Sequence, residues 1–162
     1  MSKKLELDTK DIEILNILQR DATSSVQVIA EEIGLTNNPC WRRIKRLQES
    51  GVINRYSIDI NRKVLGLGTT AFVTIRIEKH SASWLDRFSE VVKAMPEILE
   101  CHRMTGDVDY LMKIAVKDLN HYDEVYRSLI EKVDGLSDVS STFSMEEIKT
   151  NPLIDASTVK RK

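Results

Sequence analysis

Along the first fifty residues apolar side chains recur every three or four positions; beyond residue 68 that period gives way to alternation by twos. Ile12, Leu15 and Leu18 share one helical face, which predicts a helix from an Asp8 N-cap to about Gln19. Leu7 and Ile12 have the spacing of a hydrophobic staple around that cap. Ser24 and Gln27 have capping-box spacing and predict a second helix, with Val26, Ile29, Ala30 and Ile33 inward and Gly34 as its stop. Thr36 caps a third helix, with Pro39 in its first turn and Cys40, Ile44 and Leu47 facing a core. After Gly51, residues 52–58 read as a strand, and Asn61-Arg62-Lys63 follows it, so a short hairpin is expected.

From residue 69 onward the elements alternate. Ala71, Val73, Ile75 and Ile77 point one way along a strand, against Thr70, Phe72, Thr74 and Arg76. Trp84, Leu85, Phe88, Val91, Val92 and Met95 then hold helical spacing up to Pro96. Residues 98–104 and 110–116 read as strands joined by Thr105-Gly106-Asp107-Val108-Asp109, a loop with hairpin chemistry. Asp118 caps a helix carrying Leu119, Tyr122, Tyr126, Leu129, Ile130 and Val133. After Gly135, the positions Val139, Ser141, Phe143 and Met145 alternate in a last strand. The fold class is therefore α+β: an N-terminal winged helix-turn-helix and a C-terminal βαββαβ ferredoxin-like domain with both helices on one sheet face. The expected boundaries are residues 1–60, a linker over 61–68, a second domain over 69–150 and a C-terminal tail over 151–162. That tail is polar and expected to fray beyond its first residues. The free sheet face, bearing Phe72 and Thr74, suits pairing with a second subunit.

Charge changes the picture in one place. The whole chain carries 24 Lys+Arg against 25 Asp+Glu, a net charge of -1. Yet Thr36–Leu47 holds Arg42, Arg43, Lys45 and Arg46 and no acid. Asn38, Arg42 and Arg46 lie opposite the apolar side, with Arg43 and Lys45 flanking them. Such a face is either a solvated helix surface or a reader of the DNA major groove, where Arg pairs with guanine O6 and N7. The preceding short helix and the tight Gly34-Leu35 turn favour the reader. Arg42 and Arg46 are the expected base readers, and the hairpin would be a wing that brings Arg55 or Lys63 near the backbone. Trp41, about 100° from the core direction, is expected to pack against that wing.

The rest narrows the function. The longest apolar stretches fall far short of a membrane span, and no charged segment leads into an apolar run at the N-terminus. Cys40 and Cys101 stand far apart, which is neither a disulfide framework nor a zinc pattern, although a redox role for either stays open. His80, His102 and His121 pair with no nucleophile at a recognisable elbow, so neither an enzyme nor a cofactor is expected. Asp107 and Asp109 in a glycine loop could hold an ammonium group or a metal, or could bond only their own backbone. Two acids alone fall short of a metal ligand set.

These motifs resemble the Lrp/AsnC family, the feast/famine regulators of bacteria and archaea. The resemblance spans roughly residues 5–154. It rests on Asp11, the run from Leu35 to Leu47 and Gly51-Val52-Ile53 in the first half, and on residues 106–111 and 145–150 in the second. It implies a cytoplasmic, nucleoid-associated transcription regulator that binds a pseudo-palindromic site in double-stranded DNA as a homodimer or higher homo-oligomer. Asn37, Asn38, Pro39, Arg42, Arg43, Lys45 and Arg46 would meet DNA. It also implies a small-molecule effector, an amino acid, held between dimers by Gly106, Asp107, Asp109 and Tyr110, with Ser141 and Thr142 as further contacts. Cys40-Trp41, Trp84 and Met95-Pro96-Glu97 resemble a subgroup with cysteine-responsive members, while Trp41 and Thr36-Asn37 depart from the commoner family pattern. The alternative is an architectural DNA-binding protein with little sequence preference.

Overall fold

A computed structural model describes residues 6–78, 81–150 and 153–158, so His80 lies outside the described residues. The chain divides into two compact units, residues 1–59 with 149–162, and residues 60–148. It passes from the first unit to the second and then returns.

The first unit holds α1 (Thr9–Arg20), α2 (Val26–Glu32) and α3 (Asn37–Glu49). Asp8 and Asp11 cap α1 reciprocally, each carboxylate accepting the other's backbone N–H at 3.0 Å. Such a pair satisfies two otherwise orphaned donors of the first turn. The cap of α2 is Ser25, not Ser24: the Ser25 hydroxyl accepts the Val28 amide, whereas the Ser24 hydroxyl donates to Asp21. Asp21 already gathers the amide and hydroxyl of Thr23, and this local turn draws Ser24 out of the capping position. Gly34, at φ +67°, ends α2 while the Leu35 amide reaches back to the Ala30 carbonyl at 2.8 Å. That left-handed turn, which a Cβ would strain, sets the step from α2 to α3. Ile14, Ile29, Cys40 and Leu47 are completely buried where the helices meet. Ala156, in a short 3-10 turn over Ala156–Thr158, closes the same core.

No strand forms over residues 52–58, so the expected wing hairpin is not made within the chain. The Val52 and Ile53 amides are both drawn back to the Leu47 carbonyl at the end of α3. Among the described residues none pairs as a strand with residues 54–58, and a lone two-stranded hairpin is marginal in water. Trp41 accordingly has no wing to pack on; it is 49% exposed, with the Lys45 ammonium 5.2 Å from its ring centre.

The second unit is a four-stranded antiparallel sheet in the order β2-β3-β1-β4, from β1 (Thr69–Ile77), β2 (Ile98–Arg103), β3 (Tyr110–Val116) and β4 (Leu136–Phe143). Between them run α4 (Ala82–Ala94) and α5 (Leu119–Lys132), which bury the inward positions Ala71, Val73, Ile75, Met112 and Ile114. The alternation along β1 holds as expected. Met145 does not continue β4 and is fully exposed. On α5 the core positions are Val125 and Leu129, joined by Val133 at its C-cap, while Leu119 and Ile130 stay exposed. On the uncovered sheet face Phe72 stands opposite Lys113 on one side and Thr142 on the other, 39% exposed.

Candidate nucleic-acid interface and effector hairpin

The reading helix places its predicted residues unequally. Asn37, Asn38 and Pro39 are exposed in its first turn, so none of their side chains is consumed by the core. Arg42 is exposed one turn later and, among the described residues, has no acidic group within ion-pair reach. Lys45 is exposed beside Glu49 at 3.7 Å, and exposed pairs of this kind contribute little.

Arg43 and Arg46 are turned elsewhere. Arg43 donates to Asp8 at 2.7 Å and to Asp11 at 2.9 Å, both through Nη1. Arg46 donates through Nη2 to the other carboxylate oxygen of Asp11. Arg46, expected beside Arg42 as a base reader, therefore leans back over the N-terminus of α1. Helical periodicity gave its direction from the axis correctly, but a five-bond side chain reaches whatever charge stands within its arc. Asp11 is completely buried and shares a helix face with Leu15 and Leu18. An ionised carboxylate on an apolar face demands cations, and this signal was present in the sequence. Burial raises the carboxyl pKa of Asp8, but the Asp11 amide and the Arg43 guanidinium outweigh that and leave it below the ordinary value of 3.8.

In the second unit, residues 104–109 form the tip between β2 and β3. The Met104 amide donates to the Asp109 carbonyl at 2.8 Å, and Gly106 takes φ +111°. The tip is fastened to the end of β1. The Asp109 amide donates to the Ile75 carbonyl, its carboxylate accepts the Ile77 amide at 2.9 Å, and Arg76 Nε donates to the Asp107 carbonyl at 2.7 Å. The Asp109 carboxylate thus serves the turn, while that of Asp107 is exposed.

The other expected effector contacts are not brought to this tip. Tyr110 is 4% exposed and packs in the core with Phe88 and Trp84, at centroid distances of 4.6 and 5.9 Å. Burial pushes its phenol pKa up. The alternation that put Asp109 at the surface turns Tyr110 inward. Ser141 points to the helix-covered face, where its hydroxyl meets that of Tyr122, and Thr142 points to the opposite face. They lie three and four residues along β4 from the level of Arg76, roughly 10 and 13 Å at the strand rise. Within one chain the hairpin contributes Gly106, Asp107 and Asp109 as one group.

Cys40 is completely buried and Cys101 partly buried, and desolvation pushes both thiols up, away from the reactive thiolate. Among the described residues no helix is long and apolar enough to cross a membrane.

Residues 7–54 match the winged helix-turn-helix DNA-binding domain, and residues 70–154 match the Lrp/AsnC ligand binding domain. The chain is 47% identical over 143 residues to the DNA-binding transcriptional activator DecR of Escherichia coli, covering 88% of this chain and 94% of that protein. It is 44% identical over 149 residues to the glutamate uptake regulatory protein of Zymomonas mobilis, covering 92% and 90%. Among solved structures, an AsnC family transcriptional regulator from Agrobacterium tumefaciens superposes with a TM-score of 0.88 at 44% identity, over 91% of this chain and 96% of that one. A transcriptional regulator from Neisseria meningitidis, solved as its L-Met complex, superposes with a TM-score of 0.84 at 30% identity, over 90% and 94%.

Proposed function

This chain belongs to the Lrp/AsnC family of DNA-binding transcription regulators, and from that premise we propose that α3 reads a pseudo-palindromic operator while the Gly106–Asp109 hairpin senses an amino acid. The observation that carries the DNA part is Arg42, an exposed guanidinium on the helix that follows the Gly34 turn, with no acidic partner among the described residues. Asn37 and Asn38 precede it at the N-terminal end of the helix, where side chains reach base edges. Two copies in a homodimer would set their α3 helices about 34 Å apart, one turn of the duplex. The uncovered sheet face with Phe72 is the surface we assign to that pairing, and higher homo-oligomers would follow from it. The protein would act in the cytoplasm on the nucleoid, and the reading assigns it no catalytic step.

For the effector, the support is the firmly held hairpin with Asp107 exposed at its tip. The structural relative from Neisseria meningitidis was solved as its L-Met complex, which supports an amino acid as the class of effector. A carboxylate there suits the ammonium of an amino acid, and residues of a neighbouring subunit would complete the pocket.

The test is fluorescence anisotropy of labelled DNA from upstream of the protein's own gene, against coding DNA of equal length at one fixed salt. A panel of single amino acids, cysteine and methionine included, is added in turn. Tighter binding to the upstream fragment, altered by one amino acid, is expected. Equal binding to both fragments under every condition would instead indicate an architectural protein.

A further inference from the structure

We infer that Asp11 decides which cations of the reading helix are available to DNA. With Asp8 it withholds Arg43 and Arg46 from the phosphates and leaves Arg42 and Lys45 as the working charge. The inference rests on α3 being the reader.

Four observations carry it. Asp11 is completely buried, and its two oxygens are fully used: one accepts Arg43, the other accepts Arg46 and the Asp8 amide. Asp8 adds a second carboxylate on Arg43. Two carboxylates thus face two guanidiniums, so half of the positive charge on α3 is cancelled where it stands. Arg42 has no such partner among the described residues, and Lys45 has only an exposed one.

The arrangement resists competition. Drawing both arginines to phosphates would leave an ionised carboxylate buried without cations, which is strongly unfavourable. Phosphate attraction supplies essentially all non-specific affinity, while base contacts supply discrimination. Neutralising Arg43 and Arg46 therefore lowers binding to any DNA by a similar factor and leaves discrimination among sequences to the Arg42 contacts. Asp11 is a positioning residue in this account: it touches no nucleotide.

The test is the salt dependence of binding to coding DNA. Each added phosphate contact steepens the slope of log K against log salt by about 0.9, which is roughly a 3–4-fold larger loss between about 50 and 200 mM. Asp11→Asn keeps the shape and removes the charge. It is expected to steepen the slope by one or two such steps and to tighten binding to both fragments by a similar factor at low salt. Arg43→Ala is expected to keep the wild-type slope. Asp8→Asn, at an exposed position, should steepen the slope less than Asp11→Asn, and it serves if the latter fails to fold by circular dichroism. A slope that becomes shallower in Arg43→Ala, or that stays unchanged in folded Asp11→Asn, overturns the inference: the arginines would then be phosphate contacts or purely structural. Arg42→Ala separates this outcome from failure of the wider reading. If Arg42→Ala leaves sequence preference intact, α3 is not read through Arg42, whatever the slopes show.

Discussion

Gln19 closes a two-bond ring with the main chain of Ile154: its Nε2 donates to the carbonyl at 3.0 Å and its Oε1 accepts the amide at 2.8 Å. Residues 135 positions apart are joined in this way, and the ring seats Ala156 in the core beneath α1. The segment over residues 153–158 is therefore part of the DNA-binding unit. Ala156→Asp should lower the stability of that unit by about 2 kcal/mol, since a carboxylate would enter an apolar core without a partner. Gln19→Ala should cost less than about 1 kcal/mol, because its bonds are exposed to competing water. Urea denaturation followed by Trp41 fluorescence in a Trp84→Phe background checks both. Equal stability of Ala156→Asp and wild type would mean that the segment does not dock in solution.

The uncovered sheet face gives a second expectation. Phe72 is central on it, flanked by Lys113 and Thr142 in the cross-strand register. A charged residue there keeps the strand but would destroy the apolar contact between copies that we propose for this face. Phe72→Glu should shift the protein toward monomer in multi-angle light scattering while its circular dichroism stays unchanged. Retention of the wild-type mass would place the pairing surface elsewhere.

Which features the sequence discloses follows a physical rule. The three helices, the four strands and the turn at Gly34 follow from periodicity and backbone chemistry, both local, and they stand where the apolar spacing puts them. The missing wing strand, by contrast, depends on a partner, and no run of residues announces whether that partner lies in the same chain. Ile14 and Ile17 are buried although the three-four spacing counted from Ile12 favours Leu15 and Leu18, because α1 is covered on more than one side. The site shows the same division. The exposure of Arg42 and the hairpin glycine were legible; Asp11 on an apolar face signalled a need for cations, but not that Arg43 and Arg46, 32 and 35 positions away, supply them. Tyr110 came to the hairpin from the family motif, whereas strand alternation after Asp109 turns its ring into the core.

The cap of α1 has a pH signature. Asp8 titrates below its ordinary value of 3.8, so the folded state favours the ionised form. Its contribution to stability is complete above 3.8 and is lost as the pH falls through the lower folded value. Asn at this position keeps a capping oxygen and removes the charge. The difference in urea midpoint between wild type and Asp8→Asn should therefore shrink as the pH is taken below 3.8. A difference that stays constant through that range would assign the effect to cap geometry alone.

The hairpin separates sensing from folding more sharply. The Asp109 carboxylate accepts the Ile77 amide and so fastens the tip to β1, whereas the Asp107 carboxylate stands exposed while its backbone carbonyl accepts from Arg76. Asp107→Ala should leave stability and basal DNA binding unchanged and abolish the amino-acid response in the anisotropy assay. Asp109→Ala should cost about 1–2 kcal/mol, since a bonded backbone amide loses its acceptor, and should weaken the response through the displaced tip. Tyr110→Phe keeps the ring packed against Phe88 and Trp84, and should leave the response intact if Tyr110 is a core residue. Loss of the response in Tyr110→Phe at wild-type stability would return its hydroxyl to the effector site. Loss of folding in Asp107→Ala would make that carboxylate a turn element and move the ammonium partner to another residue.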